Sequence, residues 1–215
     1  MITDDFRHKG LRSRLVDELR RKGAGSETVL KAINSVPRHL FLDSSFVKIA
    51  YSDVAFPIGA GQTISQPSTV ARQTTLLKVS RGSRVLEVGT GSGYQAAVLS
   101  EMGVEVYTIE RQAELYRKTA AVLRNLGYSD IKTYLGDGYE GLPDQGPFDA
   151  ILVTAGAAEL PQKLLLQMKV GAAMVIPLGR GTQIMTRIWR ISEDEFEKEE
   201  FEECAFVPML NGIAR

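Results

Sequence analysis

Three glycines alternate with other residues directly after a short apolar run, and this stretch has the clearest potential for chemistry. The run spans residues 84–88, the glycines are Gly89, Gly91 and Gly93, and Glu87 lies two residues before the first of them. A glycine-rich loop between a buried strand and a helix lets a ligand approach the backbone closely. The amides at the start of a helix favour negatively charged groups. The sequence therefore predicts a ligand-binding loop here.

Two classes of ligand use such a loop. A dinucleotide site requires G-x-G-x-x-G or a final alanine, and a register from Gly89 fails because Tyr94 occupies the position of the third glycine. A later register, from Gly91 through Gly93 to Ala96, fits formally but begins late after the strand. A methyl-donor site requires an acid, one spacer and three alternate glycines, which is the arrangement found. An ordinary strand-to-helix turn is the third possibility.

Two further acids follow the next two predicted strands. Glu110 lies about 20 residues after the loop, where a carboxylate can accept both hydroxyls of a ribose. Asp137 stands between Gly136 and Gly138, where its carboxylate can accept from the amino group of an adenine while a backbone amide donates to the ring. The competing interpretations are a helix N-terminal acid for Glu110 and a turn residue for Asp137.

The elements that position these residues alternate between strands and helices from residue 84 onward. Such alternation predicts right-handed crossovers and a mostly parallel sheet. The loop, Glu110 and Asp137 then lie at the carboxyl ends of consecutive strands, which is where open α/β sheets bind ligands. The predicted strands are 84–88, 104–109, 131–135, 150–153 and 173–176, and the predicted helices are 94–102, 111–126 and 161–168.

The two ends of the chain differ from this α/β pattern. The first third predicts helices, one with Phe6, Leu11, Leu15 and Leu19 on one face and a second that Ser26 caps. Residues 53–67 are rich in Gly and Pro and predict an irregular loop, followed by a helix at 70–77. Residues 184–191 and 199–207 predict an antiparallel hairpin at one sheet edge. We therefore expect one α/β domain with a helical N-terminal extension.

Composition excludes several function classes. The chain has 215 residues with 26 basic and 26 acidic side chains, and this balance disfavours binding to nucleic acid or to an anionic membrane. Cys204 is the only cysteine, so an intrachain disulfide is impossible, and with two histidines it cannot form a His/Cys zinc site. No metal site is therefore expected. Acidic residues near the N-terminus are atypical of a signal peptide, and we expect a cytoplasmic protein.

Other chemically capable residues have structural interpretations that we prefer. His39 stands beside Leu40 and Phe41 and is expected to be a packed or surface residue rather than a catalyst. Cys204 is expected to be a small hydrophobic residue of the last strand. The stretch Glu193–Glu203 carries eight acids and one lysine, and we expect a solvated edge hairpin protected against pairing, although it could attract basic substrates.

With these residues identified, the chain resembles the protein-L-isoaspartate O-methyltransferases over nearly its whole length. The glycine loop is common to many methyltransferases, whereas the segment Gln62–Pro67 is specific to this family. The resemblance rests on residues 36–38 with Phe41, 61–67, 86–94, 136–138, 148–151, 153–155 and 206–208.

The resemblance implies a Rossmann-like class I methyltransferase fold with a mostly parallel, seven-stranded sheet. It implies S-adenosylmethionine as cofactor and isoaspartyl-containing proteins and peptides as partners. The reaction would methylate the side-chain carboxylate of the isoaspartyl residue, and the ester would close to a succinimide that hydrolyses partly to aspartate. Residues 1–215 would form a single methyltransferase domain, with the N-terminal helices and substrate loop in 1–80 and the cofactor-binding core in 81–215. A monomer is expected.

The resemblance also implies roles for particular residues. Ser65 corresponds to the family's active-site serine, with Ile58 and Val207 as further substrate contacts. Its competing interpretation is a hydroxyl that caps the helix starting near Pro67. The implied cofactor ligands are Gln62, Thr63, Ile64, Ser65, Glu87, Gly89, Thr90, Gly91, Gly93, Glu110, Asp137 and Gly138.

Two other functions are compatible with the glycine loop alone. One is a methyltransferase that acts on another small acid or on an amine. The other is a non-catalytic nucleotide-binding domain that retains the cofactor pocket without methyl transfer. The intact segment from Gln62 to Pro67 argues against both, because neither function needs it.

Overall fold

The computed structural model describes residues 3–215, which form helices and strands in an α/β order. The helices are α1 (Phe6–Arg21), α2 (Glu27–Ser35), α3 (Pro67–Leu76), α4 (Tyr94–Glu101), α5 (Ala113–Asn125) and α6 (Gln162–Leu165). The strands are β1 (Phe56–Gly59), β2 (Gln62–Ile64), β3 (Arg84–Val88), β4 (Glu105–Glu110), β5 (Lys132–Leu135), β6 (Phe148–Val153), β7 (Met168–Leu178), β8 (Gln183–Arg190) and β9 (Phe196–Cys204). Short 3-10 helices cover Arg38–Phe41, Ser44–Ile49 and Pro143–Gln145.

A seven-stranded sheet in the order β5-β4-β3-β6-β7-β8-β9 forms the centre of the fold. The first five strands in this order are parallel, and β8 and β9 complete the sheet as an antiparallel pair at one edge. The predicted α/β class, the mostly parallel sheet and the edge hairpin are confirmed. Strands β3 and β6 are buried along almost their whole length. Their sequences are therefore mostly apolar on both faces, as is typical of central parallel strands.

Two buried clusters cover the two faces of this sheet. One joins the N-terminal helices and α4 to the face that carries Val85 and Leu152. The other packs Leu164 and Met209 on the face that carries Leu86 and Ile151. The sheet is therefore shielded from solvent on both sides, as the crossover connections require.

The N-terminal helices form largely as the sequence predicts. The Asp5 side chain accepts a hydrogen bond from His8 N at 2.9 Å and caps α1, and the Ser26 hydroxyl caps α2 through Val29 N. Phe6 was expected in the buried stripe but is 92% exposed. It is the first residue of α1, and the helix buries its apolar face only around Leu15, Val16 and Leu19.

The segment 53–67 is more regular than the sequence predicts. It contains an antiparallel hairpin in which Phe56 pairs with Ile64 and Pro57 with Thr63. Three consecutive residues at its turn, Gly59, Ala60 and Gly61, have positive φ values of 102°, 49° and 67°. Glycine at two of these positions allows the sharp reversal. The same glycines that suggested an irregular loop therefore make the hairpin turn.

Two predicted boundaries near the end of the chain are also wrong. The helix expected at 161–168 is limited to α6, because Met168 already pairs with Phe148 at the start of β7. The last strand begins at Phe196 and ends at Cys204, where 199–207 was expected. Apolar and polar side chains alternate little along this strand, because most of them are exposed and charged. The sequence pattern therefore does not define where the strand begins and ends.

The carboxyl ends of β3, β4, β5 and β6 lie along one edge of the sheet. The hairpin β1–β2 and the C-terminal tail reach the same edge. Gly156 N donates a hydrogen bond to Val207 O, and Met209 N donates one to Gly156 O, both at 2.8 Å.

Within residues 3–215 no helix is long and apolar enough to cross a membrane. In the same part of the chain, no group of three or more His, Cys, Asp or Glu side chains is arranged to hold a metal ion.

Candidate active site

The glycine loop is pressed tightly between its neighbours. Gly89, Gly91 and Gly93 have φ values of 98°, 51° and 85°, in the left-handed region that favours glycine. A Cβ on Gly89 would lie 2.5 Å from Thr154 Oγ1, and one on Gly93 would lie 2.8 Å from Thr119 Cγ2. Backbone conformation therefore favours glycine at all three positions, and lack of space also requires it at Gly89 and Gly93.

Glu110 holds this loop from the end of β4. The side chain is 4% exposed, and its two oxygens accept hydrogen bonds from Gly91 N and Gln112 N, each at 2.9 Å. An ionised carboxylate has about four lone-pair sites, so acceptor capacity is left for a ligand hydroxyl. Glu110 lines the cavity above the loop, and its contact with a ribose remains a prediction.

Asp137 connects the end of β5 to the C-terminal tail. Its Oδ1 accepts from Tyr139 N at 2.9 Å and its Oδ2 from Gly212 N at 2.6 Å. The following Gly138 lines the cavity, and a Cβ there would lie 2.6 Å from Val88 Cγ1. Asp137 therefore fixes the tail beside the cavity, while Gly138 forms part of its wall.

Glu87 lies on the buried side of the loop. It is fully buried, and its Oε2 accepts a 2.5 Å hydrogen bond from Thr108 Oγ1, which lies 2.7 Å from Thr90 Oγ1. Burial raises the pKa of the Glu87 carboxyl to about 8. The side chain therefore keeps its proton at neutral pH and supports the loop through two threonines.

Ser65 follows strand β2 and precedes α3. The first turn of α3 is capped by Asp53, whose Oδ1 accepts from Ser68 N at 2.8 Å, and the N-cap residue Gln66 makes no side-chain cap. Asp53 therefore supplies the helix cap that was the competing interpretation of Ser65. The Ser65 hydroxyl is left for another partner.

The site consists of a narrow cavity that opens onto a wide groove. The cavity has a volume of about 90 Å³ and runs from Gly138 across the glycine loop to Thr154. The groove has a volume of about 840 Å³ and lies between α3 and the end of β9. The residues that line both are Thr63, Ser65, Thr154 and Val207. Ser65 is therefore positioned where an enclosed ligand and an extended one can meet.

Comparison with known proteins identifies the family. Residues 10–214 match the family model described as protein-L-isoaspartate(D-aspartate) O-methyltransferase. The chain belongs to this family. It is 56% identical over 209 residues to a protein-L-isoaspartate O-methyltransferase of Flavobacterium psychrophilum, covering 97% of this chain and 98% of the relative. A relative of the same name in Cytophaga hutchinsonii is 55% identical over 210 residues, covering 97% of this chain and 95% of the relative.

Solved structures agree with this family assignment. A protein-L-isoaspartate O-methyltransferase superposes with a TM-score of 0.86 at 28% identity, covering 94% of this chain and 67% of that one. A protein of Plasmodium falciparum, described as a protein-L-isoaspartate O-methyltransferase in complex with S-adenosyl-L-homocysteine, gives a TM-score of 0.82 at 26% identity, covering 93% and 98%.

Most of the residues predicted for a methyltransferase site line the cavity. They are Gln62, Thr63, Ile64, Ser65, Gly89, Thr90, Gly91, Glu110, Gly138 and Val207. Gly93 and Glu87 support the loop from behind, and Asp137 holds the tail, so none of these three is part of the wall. Their direct contact with a cofactor stays a prediction.

Ile58, predicted as a substrate contact, has a different position in this methyltransferase. Its Cδ1 lies 3.4 Å from the point where a Cβ of Gly91 would be. The side chain lines a separate small cavity with Ser92 and Thr119, and it is not among the residues that line the groove. Ile58 therefore packs over the glycine loop, and its contact with substrate is a prediction that this position does not favour.

Several residues of the site were not singled out from the sequence. Asp53, Gln95 and Arg111 have no motif that distinguishes them, since each role depends on a distant partner. Thr154 could have been found, because it directly follows the buried strand β6 and so lies at the carboxyl edge. Its hydroxyl donates to Gly89 O at 2.7 Å and so fixes the loop against β6.

His39 and Cys204 do not contradict their structural interpretations. His39 is fully buried, stacks on His8 at 3.9 Å and has Nδ1 2.7 Å from the Tyr51 hydroxyl. Burial lowers the pKa of His39, which favours its neutral form. Cys204 is half-buried and lines the groove, and burial raises the pKa of its thiol to about 11. Neither is poised for nucleophilic or acid–base chemistry at neutral pH.

Proposed function

We propose that this protein transfers a methyl group from S-adenosylmethionine to the free carboxylate of isoaspartyl residues in damaged proteins and peptides. In isoaspartate the chain continues through the β-carbonyl, so the free group is the α-carboxylate, which projects from the chain like a side chain. One observation carries the proposal above all. The Ser65 hydroxyl, which α3 does not use, lies where the enclosed cavity meets the open groove.

The residues that line the cavity fit the methyl donor in their chemistry. The glycine loop lines the cavity through Gly89, Thr90 and Gly91, and Glu110 offers a buried carboxylate to ribose hydroxyls. Gly138 has its backbone at the cavity wall, where an adenine edge can be read. When bound, S-adenosylmethionine supplies an electrophilic methyl group on a positively charged sulfur.

The acceptor needs no general base. A carboxylate of this kind has a pKa of about 4 and is ionised at neutral pH. The protein must therefore align the two reactants and remove water between them. Ser65 is suited to this because its hydroxyl can donate to one carboxylate oxygen while the other remains free to attack. A lysine or arginine at that position would hold the carboxylate more tightly and reduce its nucleophilicity.

The open groove explains how a protein chain is admitted. It has polar walls from α3, including Ser68 and Arg72, and from the end of β9. A repair enzyme must accept peptide on both sides of the modified residue. The methyl ester product is then attacked by the amide nitrogen of the next residue, which expels methanol and forms a succinimide. Water opens this ring to aspartate or isoaspartate.

We further propose a monomeric cytoplasmic enzyme, with residues 1–215 as one domain, that binds neither nucleic acid nor membranes. The zero net charge and the single cysteine support this proposal. In this proposal Ser65 positions the substrate, and the cofactor ligands are those that line the cavity.

The direct test uses a radiolabelled methyl donor with an isoaspartyl peptide and its normal aspartyl twin. We expect label to transfer to the isoaspartyl peptide alone and to be released as methanol as the ester closes. Equal labelling of both peptides would point to a less selective carboxyl methyltransferase. Tight binding of S-adenosylhomocysteine with no transfer to any isoaspartyl peptide would indicate a non-catalytic domain and contradict the proposal.

A further inference from the structure

Gln95 has an unusual hydrogen-bonding state for a residue of the cavity wall. It is the second residue of α4, is 8% exposed and lines the cavity. Its Nε2 donates to Thr74 Oγ1 at 2.9 Å, whereas its Oε1 is buried and accepts no hydrogen bond within residues 3–215. The other buried atoms of this kind within residues 3–215 belong to residues that do not line the cavity, namely His8, Arg38, His39 and Glu87.

A buried acceptor without a donor costs free energy, and native folds seldom retain one without a reason. Because the Thr74 bond fixes the amide, Gln95 cannot turn its oxygen towards solvent without losing that contact. In this orientation of the amide, no group within residues 3–215 donates to Oε1. The ligand of the cavity is the natural source.

The position of Gln95 identifies which part of the ligand it meets. Glu110 and Gly138 line the β4 and β5 end of the cavity, which suits ribose and adenine. Gln95 faces the other end of the cavity. Its hydrogen-bond partner Thr74 is the neighbour of Gln73 on α3, and Gln73 Nε2 donates to Val153 O at the end of β6. This is also the end that opens to the groove through Thr154.

The amino-acid part of the methyl donor must lie at that end, and it carries an ammonium group with three N–H donors. Glu110 is the acidic residue among those that line the cavity, and it lies at the opposite end. The ammonium group therefore needs an acceptor near β6 that is not a carboxylate. We propose that Gln95 is a ligand of the methyl donor that accepts a hydrogen bond from its ammonium group through Oε1. This inference rests on the proposed function, because it takes S-adenosylmethionine as the ligand.

The test compares two ligands that differ only in this part. S-adenosylhomocysteine has the amino-acid part, whereas 5′-methylthioadenosine has the adenosine and the sulfur without it. Calorimetric titration of Gln95→Leu should show S-adenosylhomocysteine affinity reduced about tenfold or more, with 5′-methylthioadenosine affinity within about twofold of the unchanged protein. Retained binding of the second ligand also shows that the variant is folded.

Two further variants distinguish the contact from general damage. Gln95→Glu keeps an acceptor at the same place and should bind S-adenosylhomocysteine at least ten times more tightly than Gln95→Leu. Gln73→Leu removes another buried amide, on α3 and away from the cavity wall, and should leave the ratio of the two affinities unchanged.

The outcomes that overturn the inference are distinct from those that overturn the function. An equal loss for both ligands in Gln95→Leu would show a structural role. Weaker binding of S-adenosylhomocysteine by Gln95→Glu than by Gln95→Leu would indicate a contact with the ligand's carboxylate instead. Failure of the unchanged protein to bind S-adenosylhomocysteine would contradict the proposed function and this inference with it.

Discussion

The carboxyl group of Glu87 and the hydroxyl of Thr108 are joined by a 2.5 Å hydrogen bond on the buried side of the glycine loop. Thr108 in turn contacts Thr90, which is part of the loop. The acid of the loop motif is thus a buried, protonated support at neutral pH, and the loop is held through hydroxyl groups.

This burial makes stability depend on pH. Burial raises the pKa of Glu87 to about 8 in the folded chain, from a usual value of 4.5. The native state keeps a proton that the unfolded chain releases, so the contribution of Glu87 to stability is complete below pH 4.5. It is lost progressively as the pH rises to about 8, at up to about 1.4 kcal/mol per pH unit.

Glu87→Gln removes this titration, so the pH dependence of its unfolding free energy should be flatter between pH 5 and 8. Urea unfolding of both proteins at pH 5.5, 6.5 and 7.5 measures the difference. Glu114→Gln, at an exposed site in the first turn of α5, controls for loss of a carboxylate. Parallel curves for Glu87→Gln and the unchanged protein would show that Glu87 is ionised in the fold.

Ser65→Ala should lower turnover much more than cofactor affinity. Loss of a single positioning hydrogen bond and of attack geometry reduces the rate by about ten- to a thousandfold. Ser68→Ala is the matched control, because Ser68 also lines the groove without lining the cavity. Rates at saturating methyl donor on an isoaspartyl peptide measure the effect. Full turnover in Ser65→Ala would assign the substrate carboxylate to backbone groups instead.

Glu110→Ala should weaken the binding of S-adenosylhomocysteine by about 1.5–3 kcal/mol, the range for hydrogen bonds to a charged group. The variant also leaves Gly91 N and Gln112 N without their acceptor, so a modest loss of thermal stability should accompany it. Calorimetry and thermal unfolding measure the two effects. A collapse in stability with unchanged affinity would make Glu110 a purely structural residue.

The groove should select peptides by the charge of their flanking residues. Glu202 is paired with Arg72 at 2.9 Å, whereas Glu203 also lines the groove and forms no ion pair within residues 3–215. We expect a peptide with lysine beside the isoaspartate to be preferred over one with glutamate. In Glu203→Lys the glutamate peptide should instead be preferred, by about two- to fivefold, since exposed charge contacts contribute up to about 1 kcal/mol.

Relative kcat/KM values for the two peptides at low and high salt test this charge selection. Salt should reduce the preference, because exposed charges are screened. Glu197→Lys makes the same charge change at an exposed position of β9 that does not line the groove, and it should leave the preference intact. An equal response of both variants would assign the effect to net charge.

Residues 53–67 and the tail from Phe206 should act together as a cover over the ligands. The tail is held beside the cavity by Asp137 and by Arg111, which donates to Asn211 O and Gly212 O at 3.2 and 3.0 Å. Amide hydrogen exchange in both segments should slow when S-adenosylhomocysteine and peptide are present together. Amides of β6 should stay protected throughout. Equal exchange in the two segments with and without ligands would argue against a cover.

The sequence predicts the edge where the site forms because that edge follows from the alternation of strands and helices. It places Gly89, Glu110 and Gly138 at this edge, since each lies at the end of a strand or within three residues after it. It does not predict the β1–β2 hairpin, because strands of four and three residues carry too few side chains for a period-two pattern.

Other features depend on contacts between distant parts of the chain. The bond from Gly212 N to Asp137 joins residues 75 positions apart, and no local pattern encodes it. The cap of α3 by Asp53 comes from 15 residues upstream. Gln95 has no sequence signal at all, because its role depends on which side of α4 faces Thr74.

Two walls of the cavity come from segments that lie far apart in the chain: Gln62–Ser65 and Val207–Leu210. During synthesis, which proceeds from the N-terminus, the first wall is translated about 140 residues before the second. A nascent chain in which every strand has already been made still lacks part of its ligand site.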